Sequence, residues 1–391
     1  MPFYVERTDF IPMLRNGRRV SLIDTDDLNT NFSLEERFLV AENEQRSQSM
    51  MTIEYKSPPW KSLIEGNWYD IERMNLKQFE YLPVNQEMQG GAFLRARLIG
   101  PPEKIDFTSF LTNESNATPF KNLPSHVNQE PTNTRLIIVD CGQGNWNEIL
   151  SDQDRVIYDI GASNQYKFSE LKTLVQSRNL ATETRPIHII LSHWDVDHYQ
   201  GLLGCTPADL SNIRMLITPS PVPNTSTYKR VINLLTTNGV TISSIPPATR
   251  PIGIRNRIVL CFHLQKGPYK FFRAVPGRSR NQTGIVVSFD GPNRTAILTG
   301  DHHYEKVIEA IRGRHTNIDG ILVTPHHGGM AGCIDVNKWT KEFPTLDTPI
   351  SVGKNNPYRH PLSSVITALT CLQGIRPPSE TCMCGDLTYN L

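Results

Sequence analysis

The sequence predicts a layered α/β protein in which helices cover sheets, preceded by a smaller β-rich N-terminal domain. Three observations lead there. From about residue 134 onward, apolar runs of strand length alternate with segments of helical spacing. Before about residue 105, short β-like runs are separated by polar turns. Between the two, residues 106–133 shift to Asn, Thr, Ser and Pro, as in Asn113-Glu-Ser-Asn-Ala-Thr-Pro119. Such composition buries little and favours turns, so it reads as a linker. The expected organisation is therefore 1–105, 106–133 and 134–391.

At 391 residues the chain is long enough for a sizeable core and more than one domain. Lys plus Arg number 40 and Asp plus Glu 39, for a net charge of +1. That balance does not indicate a globally basic nucleic-acid binder, but it permits a local basic patch. The first residues, Met1-Pro-Phe-Tyr-Val-Glu-Arg7, lack the basic-then-apolar build of a secretory signal. No apolar run approaches membrane-spanning length. Seven scattered cysteines, of which only Cys382 and Cys384 lie close together, fit reduced thiols better than a zinc knuckle. A cytoplasmic location with no membrane partner is the expectation.

In the N-terminal domain, strands are expected at 20–23, 51–55, 68–71, 79–82 and 92–98. Ser33-Leu-Glu-Glu36 resembles a helix start, with the serine capping and a glutamate three residues on. Nothing here looks catalytic, and Trp60, Trp68, Tyr69, Phe79 and Tyr81 read as core. A protein partner or regulatory input is the expected role of this domain. Beyond residue 134, strands are expected at 136–139, 156–158, 189–191, 285–288, 296–298 and 321–323. Helical spacing runs over 168–175 and 304–311, and the alternation continues through 215–217, 228–235 and 259–264.

The chemistry gathers where apolar strands end. After Ile189-Ile-Leu191 come His193, Asp195, Asp197 and His198 within six residues. Two imidazoles and two carboxylates suit one or two divalent metals with room for water; capping residues of a polar loop are the alternative. Asp159 closes the strand at 156–158. Asp301 closes 296–298, with Gly300 letting the backbone turn close to whatever the aspartate binds. His326 and His327 follow the strand at 321–323, and His360 lies on a loop rich in Gly, Asn and Pro. Each of these taken alone reads equally well as a cap or a core residue.

His193-Trp-Asp-Val-Asp-His198 resembles the His-x-His-x-Asp-His signature of the metallo-β-lactamase fold, with Asp195 at the second histidine. The match is closer to the hydrolase domain of ComEC-type DNA-uptake proteins. It is carried by Val139-Asp-Cys-Gly-Gln-Gly144, Ser192 to His198, Thr299-Gly-Asp301, His326-His-Gly328 and the segment from Ser351-Val-Gly353 to Asn356-Pro-Tyr-Arg-His-Pro361. It spans roughly 134–391 and leaves residues 1–133 uncovered.

The resemblance implies an αββα sandwich with metals at one edge. His193 and Asp195 would serve a first metal and Asp197 and His198 a second. Asp301 would bridge, and His326 would complete the second site, with its neighbour His327 the alternative. Asp159 resembles the family's structural aspartate, which steadies the metal loop. The departures bear on the first metal. The only histidine between the opening motif and Asp301 is His263, whose apolar surroundings, Val259-Leu-Cys-Phe-His-Leu264, read as a strand with a core histidine. The ComEC-like pattern has an asparagine at the missing ligand position, matched by Asn281. Asn145 replaces an aspartate, and His302-His303 read as surface residues at a helix start, with added metal ligands the alternative.

A divalent metal lowers the pKa of bound water from about 16 to about 7, which supplies a nucleophile at neutral pH. Asp195 in place of histidine hardens the ligand set, so manganese competes with zinc. Asp197 and His360 are the expected catalytic groups, and Lys354, Asn356 and Asn281 the expected substrate contacts. Between Arg250 and Arg280 lie eight Lys or Arg and no acid, with Tyr269, Phe271 and Phe272 interleaved. That pattern suits a nucleic-acid backbone and stacked bases, and equally a strand with buried aromatics. The expected activity is metal-dependent phosphodiester hydrolysis, with DNA the first substrate. Hydrolysis of a small ester or cyclic nucleotide, or a non-catalytic regulatory or assembly subunit with a degenerate metal site, are the alternatives.

Overall fold

The computed structural model describes residues 2–11, 18–24, 51–56, 68–71, 96–100, 133–163, 166, 168–220, 225–252, 258–277, 280–356, 358–374 and 377–391. Two compact units divide the chain. One comprises Met1–Phe107 with 167–170 and 221–234; the other comprises Thr108–Tyr166, Leu171–Ser220 and Leu235–Leu391. The expected strand at 79–82, the helix start at Ser33 and the side chains of Trp60, Phe79 and Tyr81 lie outside the described residues.

The first unit holds an antiparallel sheet of β1 (Pro2–Ile11), β2 (Arg18–Asp24), β3 (Met51–Lys56), β4 (Trp68–Ile71) and β5 (Ala96–Gly100), in the order β3-β2-β1-β4-β5. Tyr4, Val5 and Tyr69 are buried. Asp24 Oδ2, also buried, accepts from the Thr227 N–H at 3.2 Å. It thereby satisfies a donor in the first turn of the helix Ser226–Thr237, where backbone N–H groups lack intrahelical partners.

The second unit contains two mixed sheets. One runs β11 (Thr241–Ile245), β10 (Ile213–Pro219), β9 (Ile187–Ile190), β8 (Arg155–Ile160), β7 (Trp146–Leu150), β6 (Arg135–Ile138) and β18 (Leu387–Asn390). Its first four members are parallel and the rest antiparallel. The other runs β12 (Leu260–Lys266), β13 (Tyr269–Ala274), β14 (Ile285–Asp290), β15 (Thr295–Leu298), β16 (Asp319–Leu322) and β17 (Thr345–Asp347), antiparallel up to β15 and parallel from there.

The period-2 alternation of strands explains how the sheets stack. Val156 and Tyr158 of β8, Ile190 of β9 and Ile217 of β10 share one apolar cluster with Phe271, Val287, Phe289, Leu298 and Ile321 of the other sheet. The alternate residues of that second sheet, Phe272, Val286, Ile297 and Leu322, point the other way. They pack with Val307 and Ile308 of the helix Tyr304–Ile311, Trp339 of Val336–Glu342 and Leu369 of Ser363–Leu372. On the first sheet's outer face, Gly201 of the helix Gly201–Gly204 lies against Ile160 and Trp146, and Gly204 lies against Leu171. Helices thus flank two stacked sheets, which is the layered α/β class expected from the sequence. All seven cysteines are free. Among the described residues, no helix is long and apolar enough to cross a membrane.

Tertiary partners decide several features that periodicity leaves out or misplaces. β7 reads poorly as a strand because Asn147 and Glu148 interrupt it, yet all five of its residues are buried. Glu148 is accommodated by ion pairs with Arg155 at 2.7 Å and Arg178 at 3.0 Å, and by the Trp146 indole N–H at 2.9 Å. Pairing of this kind is what permits a carboxylate in a core. His263 is exposed rather than core: β12 is an edge strand, and its register slips between Phe262 and Leu264, turning the intervening histidine outward. His302 is buried rather than on the surface.

The strand at the centre of the basic stretch is structural. Tyr269, Phe271 and Phe272 are core residues. Buried Lys270 is paired with Asp290, and Arg273 donates to the carbonyls of Ser220 at 2.8 Å and of Ile245 and Gly284 at 3.2 Å. Arg255, Arg257 and Arg278 lie outside the described residues.

Candidate metal centre

Each polar residue singled out after an apolar run leaves the carboxyl end of a parallel strand, the edge where open α/β sheets bind ligands. Asp159 ends β8, His193 and Asp195 follow β9, Asp301 follows β15, and His326 and His327 follow β16. The short helix Val196–Tyr199 then carries Asp197 and His198. Backbone bonds join the two sheets here: the Ile285 N–H donates to Ser192 O at 2.8 Å. Within this edge, the His326 N–H donates to Gly300 O at 3.2 Å and the Asn145 N–H to Asp197 O at 2.9 Å. Gly300 has a φ of +54°, and a Cβ there would lie 2.7 Å from Ser192 Oγ. Its role as a tight turn against the opposite loop therefore follows from sterics.

Asp159 organises the loop from beneath. Wholly buried, its Oδ1 accepts from the Ser192 N–H at 2.6 Å. Its Oδ2 accepts from Ser192 Oγ at 2.8 Å, Asn145 Nδ2 at 2.9 Å and His198 Nδ1 at 2.8 Å. Asn145, read from the sequence as a departure, is thus a brace, and it also accepts from Asn147 Nδ2 at 2.7 Å.

The histidines share one pattern. His198 Nδ1 is held by Asp159, His327 Nδ1 donates to Ser351 O at 2.8 Å, and His193 Nδ1 meets Ser192 Oγ at 2.9 Å. In all three the opposite nitrogen, Nε2, is buried without a hydrogen-bond partner, as is Asp301 Oδ1. Buried polar atoms are rarely left so, whereas metal-binding histidines typically fix Nδ1 to a protein oxygen and present Nε2. The ligand atoms of His193, His198 and Asp301 all lie within 4.8 Å of one another, and so do those of Asp197, His198 and His327. His198 Nε2 is 3.3 Å from Asp301 Oδ1, and His327 Nε2 is 3.4 Å from Asp197 Oδ2. Tetrahedral ligands about 2.0–2.2 Å from a zinc ion stand about 3.3–3.6 Å apart. The donor set fits a divalent metal.

Electrostatics agree. Among the described residues, Asp159, Asp195, Asp197 and Asp301 bring four carboxylates to the cluster, against the guanidinium of Arg280. Burial opposes ionisation of Asp301, but His326, His198 and His193 outweigh it and hold its carboxyl well below the usual range. Burial likewise opposes a charge on His198, and Asp301 and Asp159 overcome it to push that imidazole's pKa well above normal.

The adjacent histidines part company. His327 is buried and faces Asp197. His326, which the family resemblance assigns to the second site, is about a quarter exposed, with Nε2 3.8 Å from Asp301 Oδ2 and Nδ1 3.3 Å from Met330 O. Both have left-handed φ near +53°, a strained conformation for histidine that costs roughly 1–3 kcal/mol each. This backbone aims two successive rings in different directions, which sequence position alone does not reveal.

Around the rim, His360 lies with its ring centroid 5.3 Å from that of His326. Its Nδ1 accepts from Gln143 Nε2 at 3.4 Å, which leaves Nε2 to carry the proton. Gln143, unremarked in the sequence beyond its place in Gly-Gln-Gly, also accepts from the Gly353 N–H at 3.3 Å. Asn281 Nδ2 donates to Asp301 Oδ2 at 3.2 Å. Asn356 is committed within its own loop, donating to Gly353 O and His360 O at 2.9 and 2.6 Å and accepting from the His360 N–H at 2.9 Å. These three bonds hold the loop that carries His360. Lys354 is exposed and acts electrostatically on Asp140.

No protein-family description and no curated protein matches the chain. Among solved structures, it is similar to zinc-bound PqqB from Methylobacterium extorquens, at 11% identity with a TM-score of 0.40, over 66% of this chain and 100% of that one. It is also similar to the metallo-β-lactamase fold protein YhfI from Bacillus subtilis, at 11% identity with a TM-score of 0.35, over 63% of this chain and 95% of that one.

Proposed function

We propose that this chain is a metal-dependent hydrolase of phosphodiesters, with nucleic acid, DNA first, as the substrate class. The observation that carries the metal dependence is the convergence of three buried imidazole Nε2 atoms and Asp301 Oδ1, none with a hydrogen-bond partner. In this reading Asp197, His198, Asp301 and His327 hold zinc or manganese, with His193 and Asp195 alongside. A bound divalent ion lowers the pKa of water and neutralises charge developing on a phosphoryl oxygen.

The chain's own groups do the rest. Asp159 fixes the His198 tautomer, so that Nε2 keeps its lone pair for the ion. Asp197 orients the attacking water. Gln143 fixes His360 with a proton on Nε2, suited to protonating the leaving oxygen. Asn281 and Lys354 remain the proposed substrate contacts. Residues 1–105 are proposed as a separate domain that binds a protein partner or substrate, joined through 106–133 to the hydrolase domain 134–391.

A second reading, hydrolysis of a small phosphodiester or cyclic nucleotide, is favoured by one observation: Tyr269, Phe271, Phe272, Lys270 and Arg273, which suggested a polymer surface, are buried. The test is chelator-stripped protein with manganese or zinc restored, assayed on a chromogenic phosphodiester, cyclic nucleotides, single- and double-stranded DNA, and RNA. Metal-dependent cleavage lost in Asp197→Ala is expected. Cleavage confined to small substrates and uninhibited by DNA selects the second reading. No cleavage of any substrate, or equal cleavage by the variant, refutes both.

A further inference from the structure

We infer that Arg280 is a built-in cation that stands in for a second metal, so that the centre binds one ion per chain. The inference rests on the metal-binding reading above. Arg280 begins the short turn Arg280–Gln282, whose carbonyl at residue 280 accepts from the Thr283 N–H at 2.9 Å and Thr283 Oγ1 at 3.0 Å. From this anchored position the guanidinium reaches the metal loop. Nη1 donates to Trp194 O at 2.9 Å, and Nε lies 2.8 Å from Asp195 Oδ1. The latter contact is Coulombic, since Oδ1 has no aligned hydrogen-bond donor. Asp195 Oδ2 is meanwhile 3.2 Å from His193 Nε2.

His193 and Asp195 are the pair that a first metal would need. What the fold brings to them is a guanidinium, with the Asn281 amide N–H group beside it on Asp301 Oδ2. A guanidinium has no lone pair, keeps its charge at any working pH, and presents only donors. It therefore neutralises Asp195 and repels a dication at the same carboxylate, with a strength that grows as the separation shrinks. Asp197 faces instead the Nε2 of His327, whose lone pair is free to coordinate because Nδ1 donates to Ser351 O. The asymmetry is one of chemistry: in the Asp197, His198 and His327 set the carboxylate faces an imidazole, while beside His193 the Asp195 carboxylate already faces a fixed cation.

The test is metal stoichiometry. The full chain, stripped with chelator and titrated with manganese, is followed by calorimetry, by metal content after gel filtration, and by electron paramagnetic resonance. The wild type is expected to bind one ion with an isolated manganese signal. Arg280→Gln and Arg280→Ala are expected to bind two, with spin-coupled manganese, and Arg280→Lys, which keeps the charge, to remain at one. Thermal melting verifies folding, and should Arg280→Ala fail to fold, Arg280→Gln, which keeps the stem and an amide donor, carries the comparison. Two ions in the wild type overturn the inference and leave the metal reading standing. One ion in folded Arg280→Gln overturns the role of Arg280. No bound ion in the wild type overturns the metal reading itself.

Discussion

Replacing Asp159 with asparagine isolates the support of the metal loop from its ligands. The change preserves size, and asparagine tolerates the left-handed φ of 58° at this position. Both carboxylate oxygens are in use: Oδ1 receives the Ser192 N–H at 2.6 Å, and Oδ2 receives His198, Ser192 and Asn145 at 2.8–2.9 Å. An amide must set its NH2 against one of these donor groups. The less costly orientation opposes the Ser192 N–H and leaves a neutral oxygen facing His198. Loss of charge assistance and one unsatisfied buried donor together cost roughly 2–4 kcal/mol of stability. The His198 tautomer loses its anionic anchor, and metal affinity is expected to fall about 10- to 100-fold, as when an outer-shell partner is removed. Competition against a chromogenic chelator measures the affinity, and circular dichroism confirms the fold. A folded variant that binds zinc or manganese within about threefold of wild type, under 0.7 kcal/mol, would refute Asp159 as the orienting group.

Other substitutions probe separate links. His327→Ala should weaken metal binding by more than the about 10- to 100-fold that outer partners contribute, and His326→Ala by less; the reverse order in a metal titration would return His326 to the ligand set. Gly161→Ala places a Cβ 1.8 Å from Asp197 O and 2.6 Å from Asn145 O. Both are backbone atoms, so a stability loss of about 1–3 kcal/mol or more should accompany weaker metal binding, and wild-type melting would contradict this packing. His188 is held down to about 4 by burial, with Arg214 and Lys266 adding to the effect. Its folded pKa lies below the unfolded value, so its neutral form favours folding fully above about pH 6.5, and that contribution is lost as pH falls toward 4, amounting to roughly 3 kcal/mol. His188→Leu should flatten the melting temperature over that window, and an unchanged acid slope would exclude His188 as its source.

The sequence reveals much of this design because strands rich in Ile, Leu and Val announce themselves and polar residues at their ends stand out. β8, β9, β15 and β16 and the helix Tyr304–Ile311 fall where periodicity places them, and the residues after them meet at one edge. What periodicity misses is decided by tertiary partners. β7 is hidden because Glu148 is polar by type but paired inside. His263 looks like core until a bulge on an edge strand turns it out. The choice between His326 and His327 depends on two successive left-handed residues, and the roles of Gln143 and Arg280 depend on contacts more than 80 residues away in sequence. Lys270 and Arg273 show the converse: a run of cations in sequence becomes buried pairs and carbonyl contacts once the sheet forms.

The most direct test is anomalous diffraction from crystals of the chain grown with zinc or manganese. An anomalous peak bounded by Asp197, His198, Asp301 and His327, absent after chelation, is the expected result. A well-ordered cluster with no peak, or metal bound only elsewhere on the chain, would contradict the assignment of this strand edge as a metal centre.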